Sequence, residues 1–133
     1  ALAARFGAYV DVDRPIVAGF SLGAAEVAQI AVADPARFSR VAQVEGGHSA
    51  WTPSAAGAFA SHGGLRALFA CGSAWCVGPA RDAAVRLSKA GVGARTVHAD
   101  VGHTTDRPLQ EAIMRELQWF IGDDPRWAVT HEW

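Results

Sequence analysis

No apolar run in this 133-residue chain approaches the ~18–20 residues that a membrane-spanning helix needs, so no bilayer span is expected. Neither sign of charge dominates: twelve Lys and Arg face thirteen Asp and Glu, with no basic run or stripe and no acidic tract. That balance argues against nucleic acid as a partner and against a disordered acidic tail. Cysteine is scarce. Cys71 and Cys76 are spaced C-x4-C, and two thiols alone make a poor zinc site, which needs four ligands or three plus an open position. A short-loop disulfide and a pair of buried thiols remain. The disulfide is preferred, because a tight loop just after a strand can bring two Cβ atoms together, and it would favour an exported protein. Internal repeats and linkers are also lacking.

Half of the residues are hydrophobic and 19% are charged, the composition of an ordinary globular protein. The length suffices for one small domain with a real core, residues 1–133, and not for two. There is no Met start. Ala1-Leu2-Ala3-Ala4-Arg5 reads as the inside of a helix, so the chain is expected to begin partway through a longer protein.

Helical patterns alternate with short apolar runs. Leu2, Phe6 and Tyr9 fall at helical spacing until Asp11 and Asp13 break the pattern. Pro15 to Gly19 reads as a buried strand, and Leu22 to Ala33 as an Ala-rich helix ended by Asp34-Pro35. Val41 to Val44 gives a second strand, followed by a Gly/Ser/Pro-rich connection; Arg66 to Cys71 gives a third. Pro79 is expected to open a helix whose Ala80, Ala83, Ala84, Leu87 and Ala90 share one face before Gly91 caps it. Ala94 to Ala99 is a fourth strand, and Leu109, Ala112, Ile113, Leu117, Phe120 and Ile121 stripe a last helix. Strands alternating with helices define an α/β fold with a predominantly parallel sheet and flanking helices.

Gly19-Phe20-Ser21-Leu22-Gly23 fits G-x-S-x-G, placed straight after an apolar strand and at the first turn of a helix. A sharp strand-to-helix turn there lifts the Ser21 hydroxyl above the sheet, and side chains at either flanking Gly are expected to clash as strand and helix close up. The helix N-terminus adds positive potential where an oxyanion would form, with the N–H of Leu22 as one donor. Ala24, Ala25 and Ala28 let the helix approach the sheet.

The strand–GFSLGA–helix unit, followed by three further βα units and by Gly102-His103 after the last strand, resembles an α/β-hydrolase of the esterase and dienelactone-hydrolase-like branch. The resemblance runs from Ala1 to about Gly122. It implies a Ser-His-acid hydrolase with Ser21 as nucleophile and His103 as general base, because Asp100-Val101-Gly102-His103-Thr104 ends the last strand on the sheet edge that carries Ser21. Gly102 is expected to let that loop approach the serine. The other histidines, His48, His62, His98 and His131, lie in connections, a strand and the tail.

Two departures stand out. The family places an Asp after the third strand, whereas Cys71-Gly72-Ser73-Ala74-Trp75-Cys76-Val77-Gly78-Pro79 holds no carboxylate. Glu45, at the end of the second strand, is the preferred acid: the resemblance implies it, since some members of the family carry the acid there, and the position also keeps the chain order Ser, acid, His. Asp106 reads instead as a helix N-cap, and Asp82 as a solvated residue about a turn too late. The family also has strands ahead of Ala1, one of whose loops gives a second oxyanion donor. An open sheet edge would then pair with that missing half or with another copy.

Trp51 and Trp75 are expected near the active-site rim, where they could line an apolar acyl pocket, although ordinary packing is the plainer role. Asp123 to Trp127 reads as an ordered cap over a helix end. The expected reaction is cleavage of a carboxylic ester or related acyl bond in a small molecule, without metal or organic cofactor. The alternatives are a non-catalytic domain that binds ligand or protein in the same pocket, or an acyltransferase or peptidase on the same scaffold.

Overall fold

Four short apolar runs become strands: β1 (Val17–Phe20), β2 (Arg40–Val44), β3 (Arg66–Cys71) and β4 (Gly93–His98). The structure, a computed structural model, describes residues 4–5 and 13–127. The strands form one sheet in the order β1-β2-β3-β4, every pair parallel. Phe20 pairs with Val44, Val44 with Ala70, and Ala70 with Val97, so the four C-terminal ends finish nearly level. Each strand lies within two residues of its expected bounds. The chain is an α/β fold with helices flanking a parallel sheet.

Between the strands run α1 (Leu22–Ala33), α2 (Pro53–Ser61) and α3 (Ala74–Lys89), and after β4 come α4 (Arg107–Arg115) and α5 (Leu117–Ile121). β3 is buried along nearly its whole length and sorts its residues by parity. Ala67, Phe69 and Cys71 join a core with Ala28 of α1, Phe59 of α2, and Ala80, Ala83 and Leu87 of α3. Leu68 and Ala70 point the other way, toward the side where α4 and α5 pack on β3 and bury Leu109, Ala112 and Phe120. Ala24 and Ala28 of α1 are fully buried, as expected of residues that bring a helix close to a sheet.

Three expectations need correction. The connection after β2 contains α2, whose start is written in Thr52-Pro53: the Thr52 hydroxyl oxygen accepts from the N–H of Ala55 at 3.1 Å, and Pro53 begins the helix. Thr52→Ala should therefore cost about 1 kcal/mol, read as a lower midpoint in urea at unchanged slope. Helix α3 begins at Ala74, five residues before Pro79, which lies inside it. Proline cannot donate to the carbonyl four residues back. The helix is held instead by Cys76, Ala80, Ala83 and Leu87, all buried, and it ends at Gly91 (φ 97°), where Gly91 donates to Ser88 and Val92 to Leu87. The single last helix is two, with Glu116 between α4 and α5 bonded to Arg95 at 2.6 Å.

The residues after α5 tie the N-terminal ends of the strands. Buried Arg40 at the start of β2 bonds the carbonyl of Phe120 at 2.9 Å and Asp123 at 2.6 Å, and Arg66 at the start of β3 also reaches Asp123. Hydrogen bonds from Arg40 above all hold Asp123 below the usual carboxylate range, and Arg126 does the same for Asp124. The expected cap is thus an ion-pair network at the sheet edge opposite Ser21. The helical spacing of Leu2, Phe6 and Tyr9, the break at Asp11, His131 and the Trp127 side chain lie outside the described residues.

Candidate active site

Ser21 sits between β1 and α1 with φ 53° and ψ −118°, a conformation that L-residues rarely adopt. Such geometry persists only where the surroundings over-determine it, at a cost of about 1–3 kcal/mol, and it clusters at functional sites. Here the surroundings are glycines. A Cβ on Gly19 would stand 2.8 Å from the Ala24 nitrogen, and one on Gly46 2.5 Å from the Ser21 carbonyl oxygen. Gly23 meets no such crowding, contrary to expectation; Gly46, from the loop after β2, is the second close approach. The N–H of Ser21 donates to Val44 at 2.8 Å, so the sheet ladder runs into the turn. Leu22 opens α1, where its N–H has no intrahelical acceptor, and its side chain is exposed.

Glu45 follows β2 with φ 56°, the other non-glycine residue with positive φ among those described. Its side chain is fully buried. Oε1 accepts from the N–H groups of Gly72 and Ser73 (2.8 Å for Ser73), and Oε2 from the Ser73 hydroxyl at 2.8 Å. Burial opposes the charge, but the bonds from Ser73, His103 and Gly72 outweigh it and hold the carboxyl below its ordinary range.

His103 joins the two. Its Nδ1 lies 2.9 Å from Glu45 Oε2 and its Nε2 2.9 Å from Ser21 Oγ. An ionised carboxylate only accepts, so Nδ1 carries the proton and Nε2 is left to accept from the serine hydroxyl. Gly72 fixes the loop: its carbonyl accepts from Val101 at 3.0 Å and from Gly102 at 2.9 Å. A Cβ on Gly72 would strike the Gly102 carbonyl, whereas Gly102 itself is open and serves the turn with φ 78°. Close approach therefore belongs to Gly72, not to Gly102 as expected. Ser21, Glu45, the Gly72–Ser73 cradle and His103 follow four successive strands, and one hydrogen-bonded chain links them.

The aromatic expectations divide. Trp51 is fully buried, its indole N–H donating to Gln43 and its ring edge-on to Phe59 at 5.1 Å, so it is core and not rim. Trp75, on the first turn of α3, is 59% exposed with its ring 6.1 Å from His103. Phe20, 38% exposed, lies 4.9 Å from the same imidazole. Asp106 stands at the N-cap position of α4, but its carboxylate accepts from the Thr104 hydroxyl (2.9 Å) instead of capping the helix. Asp82, His62 and His98 are exposed.

Cys71 and Cys76 form a disulfide, with Cα atoms 5.5 Å apart. Sequence reasoning missed three residues near it. Gly72 and Ser73 act through backbone amides, which no residue pattern advertises. His48, in a short 3-10 turn (His48–Ala50), is buried with Nε2 3.4 Å from Cys76 Sγ. Burial lowers its pKa, partly offset by the negative charge of Glu45. No family model, curated protein or solved structure matches this chain.

Proposed function

We propose that the chain is a serine hydrolase of the α/β-hydrolase type, acting on a carboxylic ester or related acyl bond. The observation that carries the reading is a serine in a strained strand-to-helix turn, 2.9 Å from an imidazole that a buried carboxylate orients from its other side. Ser21 Oγ attacks the substrate carbonyl while His103 Nε2 takes its proton. The developing oxyanion is stabilised by the N–H of Leu22 and the start of α1, and Glu45 stabilises the imidazolium. The imidazolium protonates the leaving alcohol, and the acyl group stays on Ser21. Water, deprotonated by His103, then releases the carboxylic acid and restores the serine. Phe20 and Trp75, exposed on either side of this reaction, favour an apolar acyl or alcohol group.

The rival reading, a non-catalytic binding domain, drew on the lack of a carboxylate after β3. The hydrogen bond between Glu45 and His103 weakens that reading. A fluorophosphonate probe separates the two. The folded full-length protein should be labelled once, at Ser21, and His103→Ala should suppress that labelling, because the serine then has no base to take its proton. A folded full-length protein that remains unlabelled at neutral pH would remove the hydrolase reading.

A further inference from the structure

The disulfide has a neighbour that the proposed hydrolysis does not use. Cys71 ends β3, Cys76 lies in the first turn of α3, and His48 comes from the turn after β2. All three are buried, and their sulfur and ring-nitrogen atoms lie within 4.8 Å of one another. Two thiols alone make a poor zinc site, but the fold supplies a third donor. We infer that, once the disulfide is reduced, Cys71, Cys76 and His48 form a binding site for a thiophilic divalent cation of the zinc type.

Charge and donor chemistry both support this. Two thiolates and a divalent cation sum to zero, so the complex adds no net charge to an apolar core that includes Phe69, whose ring lies 5.8 Å from that of His48. Sulfur and imidazole donors select zinc-like ions over magnesium or calcium, which prefer oxygen. Three protein ligands leave one tetrahedral position open. A groove of about 390 Å³, lined by Gly47, His48, Trp75 and Asp82 among others, reaches the site at its histidine.

The disulfide and the metal exclude each other. A dithiol reductant supplies two electrons and two protons, the S–S bond breaks, and the reductant is left as its own disulfide. Binding of the cation then releases the two thiol protons.

The test uses the whole chain, reduced with a phosphine under argon and titrated with Co²⁺, then with Zn²⁺ against a chromophoric chelator. The reduced protein should bind one equivalent, show the thiolate charge-transfer and d–d bands of a tetrahedral cobalt site, and resist alkylation at both cysteines when loaded. The oxidised protein should bind none at this site. His48→Gln keeps both thiols but removes the nitrogen ligand. It should weaken binding by at least the ~10–100-fold that changes behind a metal ligand cost. Absence of the cobalt bands in the reduced protein overturns the inference, as does equal affinity in His48→Gln. If reduction abolishes the near-ultraviolet circular dichroism, Zn²⁺ should restore it; a signal that stays lost also overturns the inference.

Discussion

Ser21→Ala should cut the turnover of an activated phenyl ester by roughly 10⁶-fold, with the fold intact by circular dichroism. The substitution removes the oxygen that is the partner of His103 Nε2 and, in the proposed reaction, the attacking atom. His103→Ala should cost about as much, and the double variant little more than either single one, because nucleophile and base act as a unit. That non-additivity is the informative result. Independent losses that multiply would mean that Ser21 and His103 do not share one step. A Ser21→Ala protein within tenfold of the parent would place the chemistry elsewhere.

Glu45→Gln should lower turnover by about 10⁴-fold, since an amide does not fix the Nδ1-protonated tautomer or stabilise the imidazolium. It also leaves one acceptor oxygen where Gly72, Ser73 and His103 require two. The carboxyl has a folded-state pKa below its unfolded value, so it contributes stability that is present above the unfolded pKa. That contribution is lost as pH falls through the folded value. Glu45→Gln should accordingly remove part of the acid-side decline in stability, measured as denaturation midpoint against pH. Asp106→Asn is the control: among the described residues its exposed carboxylate bonds only the Thr104 hydroxyl, so turnover should stay near the parent value. The reverse outcome, activity lost with Asp106→Asn and kept with Glu45→Gln, would exchange the two assignments.

The strands were legible because short apolar runs bounded by Gly, Pro and Asp leave little choice of partner, and the turn at Ser21 because its glycines are local in sequence. What escaped was set by distance along the chain or by backbone. Proline at position 79 reads as a helix start, yet α3 already runs from Ala74, held by buried contacts that outweigh one missing N–H. Helix α2 was hidden in a connection whose Gly and Ser content masked the Thr52-Pro53 start. Trp51 takes the packing role that its sequence context favoured, but its partner Gln43, from the preceding strand, is visible only in the fold. Glu45 could be chosen from its place at the end of the second strand, where the resemblance puts the acid in some members, but its cradle could not, because amides at residues 72 and 73 carry no side-chain signature. His48 lies beside a sulfur from a distant strand–helix junction, a proximity that only the fold creates.

The proposed reaction needs negative charge at two places, the carboxylate of Glu45 and the oxyanion on substrate bound to Ser21. Each lies where a helix begins: Glu45 against Ser73, the N-cap residue just before the 16-residue α3, and Ser21 against Leu22, the first residue of the 12-residue α1. No lysine or arginine among the described residues hydrogen-bonds to Ser21, Glu45 or His103. In that reaction both anions would be stabilised by peptide dipoles fixed in the backbone, joined at Glu45 by the Ser73 hydroxyl and His103, and not by long cationic side chains that must be ordered first. Dissolved ions have little mobile charge to screen in such a site, and turnover of an uncharged ester should change little with ionic strength.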